Sequence, residues 1–571
     1  MRKRLPGLLI MIAVMVAGAA ASQDPTTLSR PGQIPAEGVT GPRDRPKPTT
    51  GTARIRGIVV GGEGGAPLRR AFVRLEGAEL REGRATSTDE QGRWELKDLP
   101  AGRYTLSAMK AGYVPLQYGQ RRPFEQGRPI ELVDGQQLAE INFNLPRGSA
   151  ITGRVTDEFG DPLSDVTVAP LRYRYVNGRR RLIPAGRVES TDDGGNFRLF
   201  GLAPGDYYLS ATLQDFWMHD SDMQSGYAPT YYPGTSSPQQ AEKISLGVAA
   251  EASGIVLSLL PVRTAKVSGT ATDSQGRPMA GAFVSLVDGS SEGGFMMFGG
   301  GNQVRDDGTF TLQNVSPGEY TLMVSAMGAP GTTEQASMPL TVSGDDIAGI
   351  ALVASRGTTI KGRIVFDVPP PADTVRPGSF SVHAMPKDSA SMSFFFASVS
   401  GVDRVNDDWT FELRTATGPA LIRTGRMPSG YSLKSVVWRG EDVTDSGIAV
   451  KTGGAITGVE VVVTTRTNTV AGAVSGADGK LTADYVAVIF AEDTDRWDYQ
   501  SRYIAIGRPD QQGAFVAKGL PAGKYLAAAV PYIEEGEERS PETLERLRSV
   551  ATAFTLGEGE RKDLRLTLTE Y

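Results

Sequence analysis

The chain has 571 residues, a length that corresponds to about four domains of average size, and it contains no cysteine, which excludes a disulfide framework. Its 69 glycines and 36 prolines favour many short strands joined by turns over a helical protein. The net charge of −5 argues against a nucleic-acid partner, because neutralising phosphates requires a concentrated basic face.

Residues 1–22 have the organisation of a secretory signal peptide. Basic side chains at 2–4 precede an apolar stretch from Leu8 to Ala21 that ends in small residues and is too short for a comfortable membrane span. Residues 23–52 are rich in Pro, Thr, Gly and charge, so they predict a disordered leader. No second hydrophobic run in the sequence is long enough to cross a membrane. We therefore expect an exported protein without a membrane span after cleavage, in the periplasm, on the cell surface or secreted.

A repeating unit first occurs within residues 53–147. Trp94 alternates with polar neighbours along one run and Tyr104 along the next, which is the period of a strand with one buried face. A turn beginning at Asp89 precedes the first run, because its carboxylate can accept bonds from backbone N–H groups two residues on. The corner before Tyr104 resembles the tyrosine corner of Greek-key sandwiches, in which the phenol bonds backbone upstream.

The unit recurs along the rest of the chain, and each copy opens with an apolar-x-Gly-x-apolar strand. Five copies, with about seven short strands each, predict an all-β tandem array of β-sandwiches. The predicted domains 1 to 5 are residues 53–147, 148–261, 262–355, 356–466 and 467–571. The copy in domain 4 is degenerate because its corner has lost the tyrosine. The aromatic residues predicted to form the structural cores are Trp94, Tyr104, Phe197, Tyr207, Phe310, Tyr320, Phe515 and Tyr525.

An aromatic-rich segment in domain 2 departs from the repeat and is the candidate binding site. Flat aromatic faces stack on sugar rings or anchor a protein partner. The candidate binding residues are Phe216, Trp217, Tyr227, Tyr231 and Tyr232. The alternative, that these rings cover the sandwich edge or a domain junction, stays open at this point.

Two further stretches differ from the repeat. Residues 288–303 form a Gly-, Ser- and Met-rich insertion. In domain 5, Ser540 has the character of an N-cap and Pro541 that of a first helical residue, with acidic residues in the first turn. This pattern predicts one short helix in the last domain.

The combination of an opening Gly strand, an Asp-x-x-Gly-x-aromatic-x-Leu run and a Pro/Gly corner followed by Tyr resembles the carboxypeptidase regulatory-like domain. The resemblance covers nearly the whole chain after the leader, with clear motifs in domains 1, 2, 3 and 5. It implies a transthyretin-like (prealbumin-like) sandwich of the carbohydrate-binding-like fold group. The family's domain is an accessory module, so the resemblance implies no peptidase activity.

The unit is also similar to the B-type repeats of Gram-positive collagen adhesins. In those repeats the strand after the tyrosine supplies a glutamate that catalyses a Lys–Asn isopeptide crosslink. Four residues after each tyrosine, this chain has Ala108, Ala211, Val324 and Ala529. Without the carboxylate, no such crosslink is expected.

Catalytic and metal chemistry find little support in the sequence. The two histidines, His219 and His383, lie in different domains, whereas zinc hydrolysis needs clustered ligands. Gly289 to Gly293 matches G-x-S-x-G, but it lies in the Gly/Ser insertion rather than between a strand and a helix. The acidic pairs at 192–193 and 306–307 could contribute to a Ca²⁺ site, although capping of their own turns is favoured. We expect no metal, no cofactor and no enzymatic activity.

The expected function is therefore that of a binding or spacer module. Carbohydrate is the expected ligand class by fold analogy alone, with polysaccharide as the partner. The alternative is a structural or adhesive envelope protein that contacts protein partners through sheet edges and loops.

Overall fold

The computed structural model describes residues 50–571, with gaps at 63, 81, 214–224, 289–296, 299–302, 327–333, 372–373, 388–404, 416 and 452–453. The predicted signal peptide and all but the last residues of the predicted leader therefore lie outside the described residues. Within them, strands dominate and the single α-helix is Pro541–Arg548. The prediction of an all-β tandem array with one short helix in the last domain is confirmed.

Every domain has a first sheet built around its opening strand. This strand pairs antiparallel with the strand that follows the Asp turn and parallel with the strand that closes the domain. These three strands are, in chain order, Ala53–Gly61, Arg93–Leu99 and Phe143–Leu145; Ser149–Thr156, Asn196–Leu202 and Glu251–Ser258; Ala265–Thr272, Thr309–Val315 and Ile347–Val353; Thr358–Phe366, Thr410–Thr415 and Ala455–Thr464; and Thr469–Ser475, Ala514–Lys518 and Arg561–Thr567. Shorter strands extend three of these sheets: Ala66–Pro67 and Gln137–Leu138, Ser432–Trp438 and Glu441–Asp442, and Leu481–Thr482.

A second sheet packs on the first in every domain, and the corner leads into it. Its strands in domains 1 and 2 are Phe72–Gly77, Arg84–Ser87, Gly102–Met109, Leu116–Gln117 and Ile130–Leu132, then Thr167–Val176, Arg179–Pro184, Glu189–Ser190, Gly205–Thr212, Thr230–Tyr231 and Ile244–Leu246. In domains 3 to 5 they are Phe283–Asp288, Met297–Phe298, Gly318–Ser325 and Gln335–Val342; Val382–Pro386, Gly418–Thr424 and Ile448–Val450; and Val486–Ala491, Ile504–Gly507, Gly523–Val530 and Thr552–Leu556. Ser225–Ala228 pairs with Leu260–Arg263 between domains 2 and 3.

The glycine of each opening strand lies opposite an aromatic residue of the Asp-turn strand. The five pairs are Gly57 with Trp94, Gly153 with Phe197, Gly269 with Phe310, Gly362 with Phe411, and Gly472 with Phe515. A Cβ atom at Gly472 would lie 2.3 Å from the Leu564 carbonyl oxygen and 2.8 Å from the Phe515 ring. The closing strand and the ring therefore both require a residue without a side chain at this position.

The corner tyrosines make the predicted hydrogen bond to backbone. Each phenol donates to the carbonyl oxygen four residues upstream: Tyr104 to Pro100 (2.8 Å), Tyr207 to Ala203 (2.9 Å), Tyr320 to Ser316 (3.0 Å) and Tyr525 to Pro521 (2.8 Å). All eight aromatic residues predicted for the cores are buried, with at most 6% of their surface exposed. The bond ties the turn between the two sheets to the sheet that carries the ring.

The buried residues of the described chain group into one apolar core in each of domains 1 to 4 and two in domain 5. Each core lies inside one of the predicted domain limits, which themselves stay a prediction. In domain 5, alternate residues of Val486–Ala491 face opposite cores. The second of these cores includes Leu544 and Leu547 of the helix, so this sheet is buried on both faces.

The described part of the chain forms one compact unit. Only residues 146–148, 354–357 and 465–468 link the closing strands of domains 1, 3 and 4 to the next opening strands. Among the described residues, no helix has the length and apolar character needed to span a bilayer.

Candidate functional site

The predicted aromatic binding segment is only partly described. Phe216 and Trp217 lie outside the described residues. Tyr231 is half-buried at the end of a short strand of domain 2, and Tyr232 packs against the core of that domain. Binding by this segment stays a prediction.

Tyr227 lies where domains 2 and 3 meet. It belongs to Ser225–Ala228, which pairs with Leu260–Arg263 across the predicted limit between domains 2 and 3. Its phenol donates a hydrogen bond to Glu158 Oε2 (2.9 Å), and its carbonyl oxygen accepts one from Ser316 Oγ of domain 3 (3.1 Å). Tyr227 therefore already contributes to a domain junction.

Domain 5 contacts an edge strand of domain 1. The side-chain amide of Gln511 donates to the carbonyl oxygen of Glu131 (2.7 Å) and accepts from the backbone N–H of the same residue (3.1 Å). The amide thus takes the place of a neighbouring strand. Asp484 adds ion pairs with Arg121 (2.8 Å) and Arg128 (3.7 Å) of domain 1. The last domain of the array is therefore held against the first.

Glu535 of domain 5 joins domains 1 and 2. Its Oε1 accepts a hydrogen bond from Gln126 Nε2 of domain 1 (3.0 Å), and its Oε2 pairs with the Arg174 guanidinium of domain 2. Next to it, Arg508 of domain 5 donates from Nε to Gln126 Oε1 (3.2 Å) and from Nη1 to the Gln126 carbonyl oxygen (3.3 Å). Three domains thus meet through polar side chains at one place.

Phe124 fixes domain 1 on domain 2. Its ring packs against the core of domain 2 and lies edge-on to Tyr207, with 6.4 Å between the ring centroids. The Arg172 guanidinium carbon lies 3.4 Å from the centroid of the Phe124 ring, a cation–π contact. Phe124 has a φ of 63°, which is unfavourable for a bulky residue, so its packing holds a strained backbone.

A cavity of about 630 Å³ opens where these three domains meet, and we call it the three-domain cleft. Most of its wall comes from domain 1, with Arg174 from domain 2 and Ile506, Arg508 and Glu535 from domain 5. Its hydroxyl and amide groups come from Thr105, Ser107, Gln117, Gln120 and Gln126, and its apolar surface from Pro115, Leu116, Phe124, Pro129 and Ile506. The cleft combines apolar surface with many donors and acceptors.

Three guanidinium groups and two carboxylates line the three-domain cleft: Arg103, Arg174 and Arg508, with Glu125 and Glu535. Arg103 forms an ion pair with Glu131 (3.2 Å). Glu125 Oε2 accepts the backbone N–H groups of residues 121 and 122 and so closes its own loop. Burial lowers the pKa of the half-buried Arg508, and the charges of Glu125, Glu538 and Glu535 oppose this shift.

Several catalytic and metal-binding arrangements were weighed in the sequence, and the structure places their residues as follows. Among the described residues, no cluster of three or more Asp, Glu or His side chains could hold a metal ion. His383 is half-buried on a strand of domain 4, where burial lowers its pKa. The G-x-S-x-G match at 289–293 and His219 lie outside the described residues. The carboxylates of Asp192 and Asp307 accept backbone N–H groups of their own turns, as the turn-capping interpretation predicted.

Sequence reasoning missed the three-domain cleft. Its walls come from segments far apart in the chain, as the contact between Gln126 and Glu535 illustrates. No motif in the sequence marks these contacts, because single residues such as Arg174 and Glu535, 361 positions apart, form them.

The fold and the cleft define the class of the protein as a tandem β-sandwich protein whose domains pack on one another. Residues 54–146 and 266–353, which correspond to domains 1 and 3, match the model of the family "Carboxypeptidase regulatory-like domain". Two segments of the chain therefore match the carboxypeptidase regulatory-like domain, as the motifs of domains 1 and 3 predicted.

Several solved structures are similar to parts of the chain. The Bacillus anthracis TIE protein is 13% identical, with 73% of each chain covered and a TM-score of 0.14. GBS52, the minor pilin of Streptococcus agalactiae, is 12% identical over 36% of this chain and 95% of its own, with a TM-score of 0.20. BcpA, the major pilin subunit of Bacillus cereus, is 13% identical over 53% of this chain and 99% of its own, with a TM-score of 0.14. These scores are too low to support an inference about function. No curated protein sequence matches the chain significantly.

Proposed function

We propose that the chain is an exported, non-catalytic binding protein that holds a saccharide in the three-domain cleft, with the five sandwiches as its scaffold. One observation carries this proposal. Hydroxyl and amide groups of domain 1 and guanidinium groups of domains 1, 2 and 5 line one cavity that also has apolar surface. Sugars present hydroxyl groups at their edges and C–H surface on their faces, so they match such a lining.

The size and construction of the cleft support a ligand-binding role. Its volume of about 630 Å³ lies within the range of pockets that take small molecules, and such pockets occur preferentially where domains meet. Contacts of Phe124, Gln126 and Gln511 hold its walls together. A preformed site loses little conformational freedom on binding.

Export and the lack of catalysis rest on other features. The first 22 residues have the pattern of a secretory signal. The residues that recur in the described domains serve packing and turns: the glycine and aromatic pairs, the corner tyrosines and the turn carboxylates. Repetition of these residues supports a scaffold role.

Binding of the full chain to a glycan array tests the proposal, followed by titration calorimetry of the saccharides retained. We expect the double variant Thr105→Val, Ser107→Ala to weaken binding about tenfold or more, because two cleft hydroxyls are lost. A Trp217→Ala, Tyr231→Ala variant serves as the comparison. Loss of binding in that variant alone would place the site in the aromatic segment, and no retained saccharide in the wild type would refute the proposal.

A further inference from the structure

Arg508 differs from the other two guanidinium groups of the three-domain cleft in its partners. Arg103 and Arg174 each form an ion pair with a carboxylate. Arg508 donates only to the side-chain and backbone oxygens of Gln126, which are neutral. Among the described residues, no carboxylate lies within ion-pair distance of Arg508. The cleft therefore holds one half-buried cation whose direct partners carry no charge.

The surrounding acidic groups are engaged elsewhere. Glu125 caps the backbone at 121 and 122, and Glu535 is bound by Gln126 and Arg174. Glu538 accepts the backbone N–H of Gly536 (2.8 Å). These carboxylates lower the potential around Arg508 without forming its ion pair. A guanidinium removed from water is stabilised most by a carboxylate that accepts two of its N–H groups.

A second cavity, of about 440 Å³, adjoins the cleft. Leu116 and Gln120 line both cavities, and Arg121 and Arg122 line the second. The second cavity also has apolar walls, including Pro146. Together the two spaces suit an extended ligand of several units rather than a single small molecule.

We propose, on the basis of the function proposed above, that the saccharide is an acidic oligosaccharide and that Arg508 binds the carboxylate of one uronic acid unit. The Thr105 and Ser107 hydroxyl groups of the cleft bind the sugar hydroxyls. The basic side chains of the adjoining cavity extend the same preference along the chain of sugars. With a neutral sugar bound, the Arg508 guanidinium would keep only the two oxygens of Gln126 as partners.

Titration calorimetry of the full chain tests this inference, with a panel of uronate trisaccharides and their neutral methyl esters. We expect the acid forms to bind about 10- to 100-fold more tightly than the esters, the range of one charge-assisted interaction. Arg508→Gln should remove that difference, so that the acid and ester forms bind with equal affinity within about twofold. Arg508→Lys keeps the positive charge but lacks the planar guanidinium that can donate two parallel hydrogen bonds to a carboxylate. It should therefore retain only part of the preference for the acid forms.

Controls separate this inference from the proposed function. Gln511→Leu removes a contact of the same domain interface at a residue that lines neither cavity, so an equal loss of preference there would mean that Arg508 acts through the interface, and the inference would be wrong. Equal affinity for acids and esters overturns the inference and leaves the proposed function intact. No binding of either form overturns the inference, and the glycan array then decides the proposed function. Equally tight binding of triglutamate would show that the site selects carboxylates rather than sugars, which also overturns the inference.

Discussion

Domains 4 and 5 are the least and the most elaborate copies of the same unit, and both keep one feature. Gly362 lies opposite Phe411 in domain 4, and Gly472 lies opposite Phe515 in domain 5. Both rings are buried. In both domains a Cβ on the glycine would meet the ring and a carbonyl oxygen of the closing strand. The pair therefore defines the unit, and the corner does not.

The two domains differ in how they close the core around that pair. In domain 4 the turn places Trp409 at a φ of 67°, where domain 5 has Gly513 at 81°. The Trp409 ring packs edge-on to Phe366 and Phe380, with centroids 4.8 and 5.5 Å apart. Domain 5 instead has the hydrogen bond of its corner tyrosine. Aromatic packing in domain 4 thus replaces both the turn glycine and the corner.

Domain 5 adds a layer that domain 4 lacks among its described residues. The helix Pro541–Arg548 covers the outer face of the second sheet, where Val488 and Phe490 are fully buried. The segment that precedes the helix carries Glu535, which contacts domains 1 and 2. The three-domain cleft is therefore held together by strands of the repeated unit and also by the segment that domain 5 adds to that unit.

Removing the shared ring should have the largest effect, and a similar one in both domains. Phe411→Ala and Phe515→Ala should each lower the local free energy of unfolding by about 3–5 kcal/mol, because each empties a buried site beside a glycine. Hydrogen exchange of the full chain, followed by mass spectrometry, resolves the two domains. Phe200→Ala, at an exposed position, should change stability by less than about 0.5 kcal/mol. A small effect in domain 4 alone would show that its other rings support the core without the pair.

A substitution at the turn should have a smaller effect. Gly513→Ala should destabilise domain 5 by about 1–2 kcal/mol, because a side chain at positive φ is strained and domain 5 has no ring cluster there to compensate. A Cβ at this position would lie at ordinary van der Waals distance, 3.4 Å from Ala483 Cβ. The loss of stability would therefore measure the backbone strain alone. Gly513→Asn is the matched control, since Asn tolerates this region. Equal stability of Gly513→Ala and the wild type would contradict the account of Trp409.

The corner should contribute less again. Tyr525→Phe keeps the ring and removes only the hydrogen bond to the Pro521 carbonyl oxygen, so domain 5 should lose about 1 kcal/mol. Hydrogen exchange of the full chain, followed by mass spectrometry, measures this loss of stability. An unchanged domain 5 would mean that the phenol only fills space, and domain 4 would then have lost nothing with its tyrosine.

The features that sequence could predict are those contained in short stretches of chain. Trp94 and Tyr104 lie ten positions apart, and Ser540 and Pro541 signal a helix by adjacency. The Ser540 side chain does accept the N–H of Thr543, and the helix begins at Pro541. Neither the cover that this helix forms nor the cleft could be predicted, because both depend on the packing of whole domains. The contact between Gln126 and Glu535 joins residues 409 positions apart.

The smallest effect concerns the acidic turn of domain 4. The Thr410 hydroxyl and backbone N–H both donate to Asp408 Oδ1, which holds the pKa of that carboxyl below its ordinary value. The ionised form is thus favoured in the folded domain. Its stabilising contribution is present above the unfolded pKa, about 3.9, and is lost as the pH falls through the folded pKa. Asp408→Asn keeps an oxygen acceptor and removes the charge. Denaturant titrations of the full chain, with domain 4 followed by exchange, should therefore show the variant as less stable than the wild type at pH 6, with a difference that shrinks toward pH 3. A difference that stays constant over this range would mean that the turn needs only the oxygen, as a neutral side chain supplies it, and that domain 4 does not depend on the charge.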